Sequence, residues 1–119
     1  MRKKLCFWLI VLVMAAFSAS TVLAVTETLI ISSEPGADSF TGDTVFKGSF
    51  NLSISGSGWV ATVHLQRSFD AGTTWVDIQS WSTNYEAVVV DPQEGGLYYR
   101  IGIKNGNYTS GTINMRLTK

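Results

Sequence analysis

Catalysis needs carboxylates, nucleophiles or metal ligands that converge, and this chain of 119 residues offers few of them. Glycoside hydrolysis would take two carboxylates flanking one bond. The candidates are Asp70, Asp77, Asp91 and Glu94, but Asp70 belongs to a turn sequence, Asp77 follows Trp75-Val76, and Asp91 and Glu94 share another turn. Beyond the basic start of the chain there are three arginines, Arg67, Arg100 and Arg116, a thin supply for holding a substrate carboxylate. His64 is the single histidine and falls on the outward parity of its segment, where a solvated or hydrogen-bonded role is expected. No serine stands in a G-x-S-x-G elbow. The loop 36–44 carries Asp38 and Asp43 without the dense Asp-x-Asp spacing of a calcium loop, so a solvated connection is expected there. These readings predict no catalytic residue, no metal site, no cofactor and no enzymatic activity.

Aromatic side chains offer better binding chemistry, because sugars lay their apolar faces on indole and phenol rings. Trp81 and Tyr85 flank Ser82-Thr83-Asn84 near a hairpin end, Tyr98 points away from the core parity, and Tyr108 lies in a further turn. They are the candidate ligand-facing residues; the alternative is that Trp81 and Tyr85 cap the edge of the domain while Tyr98 packs under a loop. The outward positions Ser49, Asn51, Ser53, Thr62, Gln66, Thr112, Asn114 and Thr118 make an uncharged polar surface. Such a surface suits water, glycan or a second copy of the chain, and few strand charges guard the sheet edges against self-association.

Ser68, Asp70, Gly72, Thr74 and Trp75 spell S-x-D-x-G-x-T-W within residues 67–75. An Asp carboxylate can cap neighbouring backbone N–H groups, Gly supplies positive φ, and Trp can close over the turn as an apolar lid. The motif resembles the Asp-box, or BNR, hairpin. That resemblance implies a structural corner, since sialidases and many secreted β-propellers carry such boxes away from their catalytic residues. A propeller itself is excluded, because one box and about seven strands cannot furnish several blades.

Residues 1–24 read as a secretory signal peptide: Arg2, Lys3 and Lys4 precede an apolar run from Leu5 to Phe17, and Val22-Leu23-Ala24 suits cleavage. An uncleaved amino-terminal anchor is the alternative. Cys6, the sole cysteine, leaves with the leader, so neither disulfides nor a thiolate metal site is expected. The leader carries three of the nine basic residues, so processing leaves six bases against nine acids, a net charge of minus three. That balance gives no footprint for nucleic acid, and no membrane contact is expected once the leader is gone. The expected location is secreted, periplasmic or extracellular, with the virion as the alternative. Asn51-Leu52-Ser53 and Asn107-Tyr108-Thr109 match glycosylation acceptors, which matter only in a eukaryotic secretory pathway.

From Phe46 the chain alternates: Phe46, Gly48, Phe50, Leu52 and Ile54 on one parity, Lys47, Ser49, Asn51, Ser53 and Ser55 on the other. Trp59, Ala61, Val63 and Leu65 alternate again, as do Leu97, Tyr99, Ile101, Ile103 and then Ile113, Met115, Leu117. Thr28 to Ser33 and Glu86 to Val90 complete the set. Turns are expected at Glu34-Pro35-Gly36, Gly56-Ser57-Gly58, Asp91-Pro92, Glu94-Gly95-Gly96 and Asn105-Gly106-Asn107. About seven short strands at this spacing predict an all-β, antiparallel sandwich of the immunoglobulin or fibronectin III kind, preceded by a signal-peptide helix. The organisation is 1–24 signal peptide, 25–45 strand and loop, and 46–119 sandwich core with the Asp-box hairpin at 67–76. Glu94 through Ile101 resembles the tyrosine-corner approach to the sixth strand of such domains, with Tyr99 and Ile101 inward and one extra residue in the spacing.

The stretch from Gly48 through Leu117 looks like small phage and prophage β-domain proteins, carried by Gly-Ser-Phe-Asn-Leu-Ser-Ile-Ser-Gly, Leu-Gln-Arg-Ser-Phe-Asp, Tyr-Arg-Ile-Gly-Ile-Lys and Tyr-Thr-Ser-Gly-Thr. The signal sequence departs from that pattern, since capsid components assemble without export. The expectation is an exported, non-catalytic binding or adhesion module with glycan or a cell-surface protein as partner. The alternatives are a phage-type virion structural or decoration protein, itself a candidate homo-oligomer, and a glycosidase-related fragment.

Overall fold

The computed structural model describes residues 26–42, 44–45, 48–89 and 97–119. The leader with its expected helix, the strand start at Phe46 and Lys47, and the turns at Asp91-Pro92 and Glu94-Gly95-Gly96 lie outside the described residues.

Alternation of apolar and polar side chains builds the strands β1 (Thr26–Ile31), β2 (Ser39–Phe40), β3 (Thr44–Val45), β4 (Phe50–Ser55), β5 (Val60–Ser68), β6 (Val76–Trp81), β7 (Tyr85–Val89), β8 (Tyr98–Ser110) and β9 (Ile113–Thr118), with no helix among the described residues. In β4 the inward set is Phe50, Leu52 and Ile54, as the parity requires, and in β9 it is Ile113, Met115 and Leu117. Val63 and Leu65 of β5 and Tyr99, Ile101 and Ile103 of β8 face them, and all join one buried cluster. The Phe50 and Tyr99 rings, 4.8 Å apart, join the two sheets directly.

All pairings are antiparallel. One sheet has the order β1-β9-β4-β7; the other has β2-β8-β5-β6, with β3 also on β8. This corrects the immunoglobulin-type expectation. In that fold the last strand lies beside the one before it, whereas here β9 sits between β1 and β4 in the opposite sheet from β8. The pairs β1·β9, β2·β8, β4·β7 and β5·β6 are nested, as though one long hairpin bent at residues 69–75 had been rolled up. That is a jelly-roll order. Parity cannot distinguish the two, because both bury alternate residues of each strand.

The expected turn at Asn105-Gly106-Asn107 is a second correction. β8 runs through it to Ser110, and the chain reverses at Gly111-Thr112. The step from Ala61 to Val63 on β5 is matched by the step from Tyr108 to Ile103 on β8, so β8 carries three extra residues there as an excursion from the ladder. Ser39-Phe40, expected as part of a loop, is held as a strand by the bare backbone of Gly102: a Cβ there would meet the Ser39 carbonyl oxygen at 2.1 Å and the Phe40 Cα at 2.6 Å.

Candidate functional site

Three connections gather at one end of the molecule. They follow β4 (residues 56–58), β6 (82–84) and β8 (111–112). Asn84 ties two of them together. Its Oδ1 accepts from Trp59 Nε1 at 2.8 Å and its Nδ2 donates to the Gly56 carbonyl at 2.8 Å. The Trp59 ring is buried, and Gly111 lies so close that a Cβ would sit 2.5 Å from the Trp59 Cα. Between the first two connections lies a shallow recess of about 370 Å³ lined by Gly56, Gly58, Trp59, Ser82, Thr83 and Asn84.

Beside it the rings of Trp81 and Tyr85 stack, with centroids 5.2 Å apart and planes inclined by 27°. Trp81 stands opposite Val63 on β5 and Tyr85 opposite Ile54 on β4, so the segment between them, expected near a hairpin end, is instead a connection that crosses from one sheet to the other. Trp81 is half-buried against the core, while Tyr85 remains 39% exposed. Tyr108 stands opposite Ala61, packs against the core and donates its hydroxyl to the Gly111 carbonyl at 2.8 Å. Tyr98 lies at the other end of β8, opposite Ser68. The structure therefore brings Trp81 and Tyr85 together, seats Tyr108 under the β8–β9 connection and separates Tyr98 from them. Asn84 was missed as anything but a spacer, because its partners Trp59 and Gly56 lie far from it in the sequence and no local pattern marks it.

At the opposite end, Ser68 and Asp70 organise the connection between β5 and β6. Ser68 Oγ donates to Asp70 Oδ1 at 2.7 Å and accepts from Gly72 N at 2.8 Å, and Asp70 Oδ1 accepts from Thr74 N at 2.7 Å. Gly72 supplies a φ of 88°, which side-chain-bearing residues avoid. The Ser68 hydroxyl and the Thr74 N–H hold the Asp70 carboxyl down at about 2, well below the ordinary carboxylate range. The indole expected as a lid over this turn has another neighbour: the Arg100 guanidinium lies 4.2 Å from the Trp75 ring centre.

That contact opens a polar network on the outer face of β5, β6 and β8. Arg100 also lies 4.3 Å from the Phe40 ring centre and donates from Nε to Gln66 Oε1 at 2.7 Å. Gln66 Nε2 donates to Asp77 Oδ1 at 2.8 Å, and Asp77 Oδ2 pairs with Lys104. His64, half-buried, meets the Asn107 amide at 3.3 Å. Burial and then the Lys104 charge push its pKa below 6.5, while Asp77 and Asp38 pull the other way. Bonds from Lys104 and Gln66 hold Asp77 below its ordinary value. Both described carboxylates proposed for chemistry, Asp70 and Asp77, are thus engaged in hydrogen bonds; Asp91 and Glu94 lie outside the described residues. The arginines do not converge. Arg67 lies over Phe69 at 4.6 Å, Arg100 serves the network, and Arg116 is exposed on the other sheet. Among the described residues no three His, Cys, Asp or Glu side chains gather as metal ligands.

No family model matches the chain, and no curated protein matches it. Among solved structures it is similar in fold to the Yersinia pseudotuberculosis-derived mitogen (YPM), with a TM-score of 0.54 and 17% identity over 82% of this chain and 86% of that one. The SPBc2 prophage-derived protein YomS aligns with a TM-score of 0.43 and 12% identity over 86% of this chain and 100% of that one.

Proposed function

We propose that this chain is an exported, non-catalytic jelly-roll module that binds glycan on a cell or particle surface through the end of the sandwich where Trp81 and Tyr85 stack. One observation carries the reading: an aromatic pair with an exposed tyrosine face adjoins a recess lined by Ser82, Thr83 and the Asn84 amide. Stacked rings receive the apolar face of a sugar, and neighbouring hydroxyl and amide groups select its orientation. The S-x-D-x-G-x-T-W turn acts in this reading as a structural corner of Asp-box type at the far end. A glycan array probed with the full chain tests it. Folded Tyr85→Ala is expected to lose roughly tenfold in affinity for any neutral glycan captured, and unchanged binding by that variant would remove the site.

A second reading, a structural subunit that packs against its own kind in a virion-type lattice, is favoured by the edge strand β6. Val76 is 52% and Ile78 39% exposed there, and the only charged side chain along the strand, Asp77, is already paired with Lys104. Light scattering separates the two: discrete oligomers support the subunit, and a monomer at high concentration counts against it.

A further inference from the structure

The outer face of the four-stranded sheet carries a second surface. Cross-strand register aligns Thr28, Arg116, Ser53 and Glu86 in one row, and Ile30, Asn114 and Ser55 in the next. Arg116 stands between two shallow depressions and lines both, as does Ser53. The first, about 260 Å³, is lined by Thr28, Ser53, Ser55, Asn114 and Arg116 alone. Thr28, Ser55, Asn114 and Arg116 can donate hydrogen bonds there, while Ser53 gives its proton to Glu86; one of the five is a fixed cation and none is an acid. The second, about 370 Å³, adds Asn51, Thr118, Glu86 and the exposed Val88. Glu86 accepts a bond from Ser53 Oγ at 3.1 Å, which turns its carboxylate toward the second depression.

From this arrangement we infer a binding site for a carboxylate-bearing oligosaccharide, with the acid group in the donor-lined depression against Arg116 and the adjoining sugar in the other. It rests on the reading of the chain as a glycan-binding module and adds a surface to it. A guanidinium fork matches a carboxylate in plane and in charge. The flanking hydroxyls and amides are spaced by the strand separation of about 4.8 Å, close to the distance between hydroxyls across a pyranose ring. Val88 and Ala87 give the second depression its apolar contact, while Glu86 and Asn51 accept from sugar hydroxyls. An acidic peptide is the poorer match, because the donor-lined depression has no apolar wall to receive its side chains.

The test is calorimetric titration of the full chain with sialyllactose, whose single carboxylate-bearing sugar adjoins a neutral galactose, with neutral lactose and with a triglutamate peptide. Wild type is expected to bind sialyllactose, more weakly at higher salt, and Arg116→Gln to lose roughly tenfold or more in affinity with an unchanged melting temperature, since position 116 is exposed. Sialyllactose binding that survives in Arg116→Gln, no sialyllactose binding by wild type, or triglutamate bound equally well would overturn the site. If sialyllactose fails to bind while neutral glycans on the array still bind and Tyr85→Ala abolishes them, the sheet-face site alone has failed. If no glycan of any kind binds, both have.

Discussion

Arg100 and Trp75 are joined across the outer face of the second sheet, the guanidinium carbon lying 4.2 Å from the indole centre. The contact fastens the β5–β6 connection to β8, and through Gln66 to Asp77 and Lys104. The corner of the nested hairpin is thereby tied to the long strand that runs behind it.

Arg100→Lys keeps the charge but loses the planar face against Trp75 and Phe40 and the Nε bond to Gln66. A loss of about 1–2 kcal/mol in unfolding free energy is expected, read by denaturant titration. A variant as stable as wild type would show that the stack contributes nothing.

Ser68 is fully buried, and its hydroxyl serves Asp70 and Gly72 at once. Ser68→Ala leaves those partners short and is expected to cost about 1–3 kcal/mol. Because β5·β6 is the most sequence-local pairing within its sheet while β1·β9 joins the ends of the described chain, most of that cost should appear as slower refolding. Leu29→Ala in β1 should instead speed unfolding. Stopped-flow measurements on both variants decide the point.

The carboxyl of Asp70, held at about 2, favours the folded state only when ionised. Its contribution is present above the ordinary carboxylate value and is lost as the pH falls from there towards 2. Carboxyl-carbon NMR should place its titration near 2 in wild type and higher in Ser68→Ala.

His64 also titrates below its ordinary value, so the unfolded chain takes up the proton first as pH falls below about 6.5, and stability declines with it. Lys104→Gln removes a repelling charge and frees the field of Asp77, so it should raise the His64 pKa in ring-proton NMR. An unmoved titration would contradict the placement of Lys104.

Gly102→Ala places a methyl group against the Ser39 carbonyl and the Phe40 backbone. Displacement of β2 and a loss of about 2–3 kcal/mol are expected, visible as faster amide exchange at Thr41, whose N–H bonds the Ile101 carbonyl at 2.9 Å.

The strands with regular alternation were legible from the chain. Phe50, Leu52 and Ile54, or Ile113, Met115 and Leu117, face inward because successive side chains of an extended strand point to opposite sides whatever lies beyond them. The Ser68–Asp70 turn was legible for the same reason, since its bonds close within a few residues. Strand order was not, because β9 finds β1 and β4 through side chains distant in sequence. Nor was β2, whose two residues pair only because Gly102 leaves room. The run through Asn105-Gly106-Asn107 reads locally as a turn and is overruled by pairing on either side, at Ile103 and Tyr108. The same division holds at the sites: the sequence supplied Trp81 and Tyr85 as neighbours across one short connection, while the Asn84 clamp on Trp59, the Arg100 stack and the row through Arg116 arise from long-range register, which no local spacing encodes.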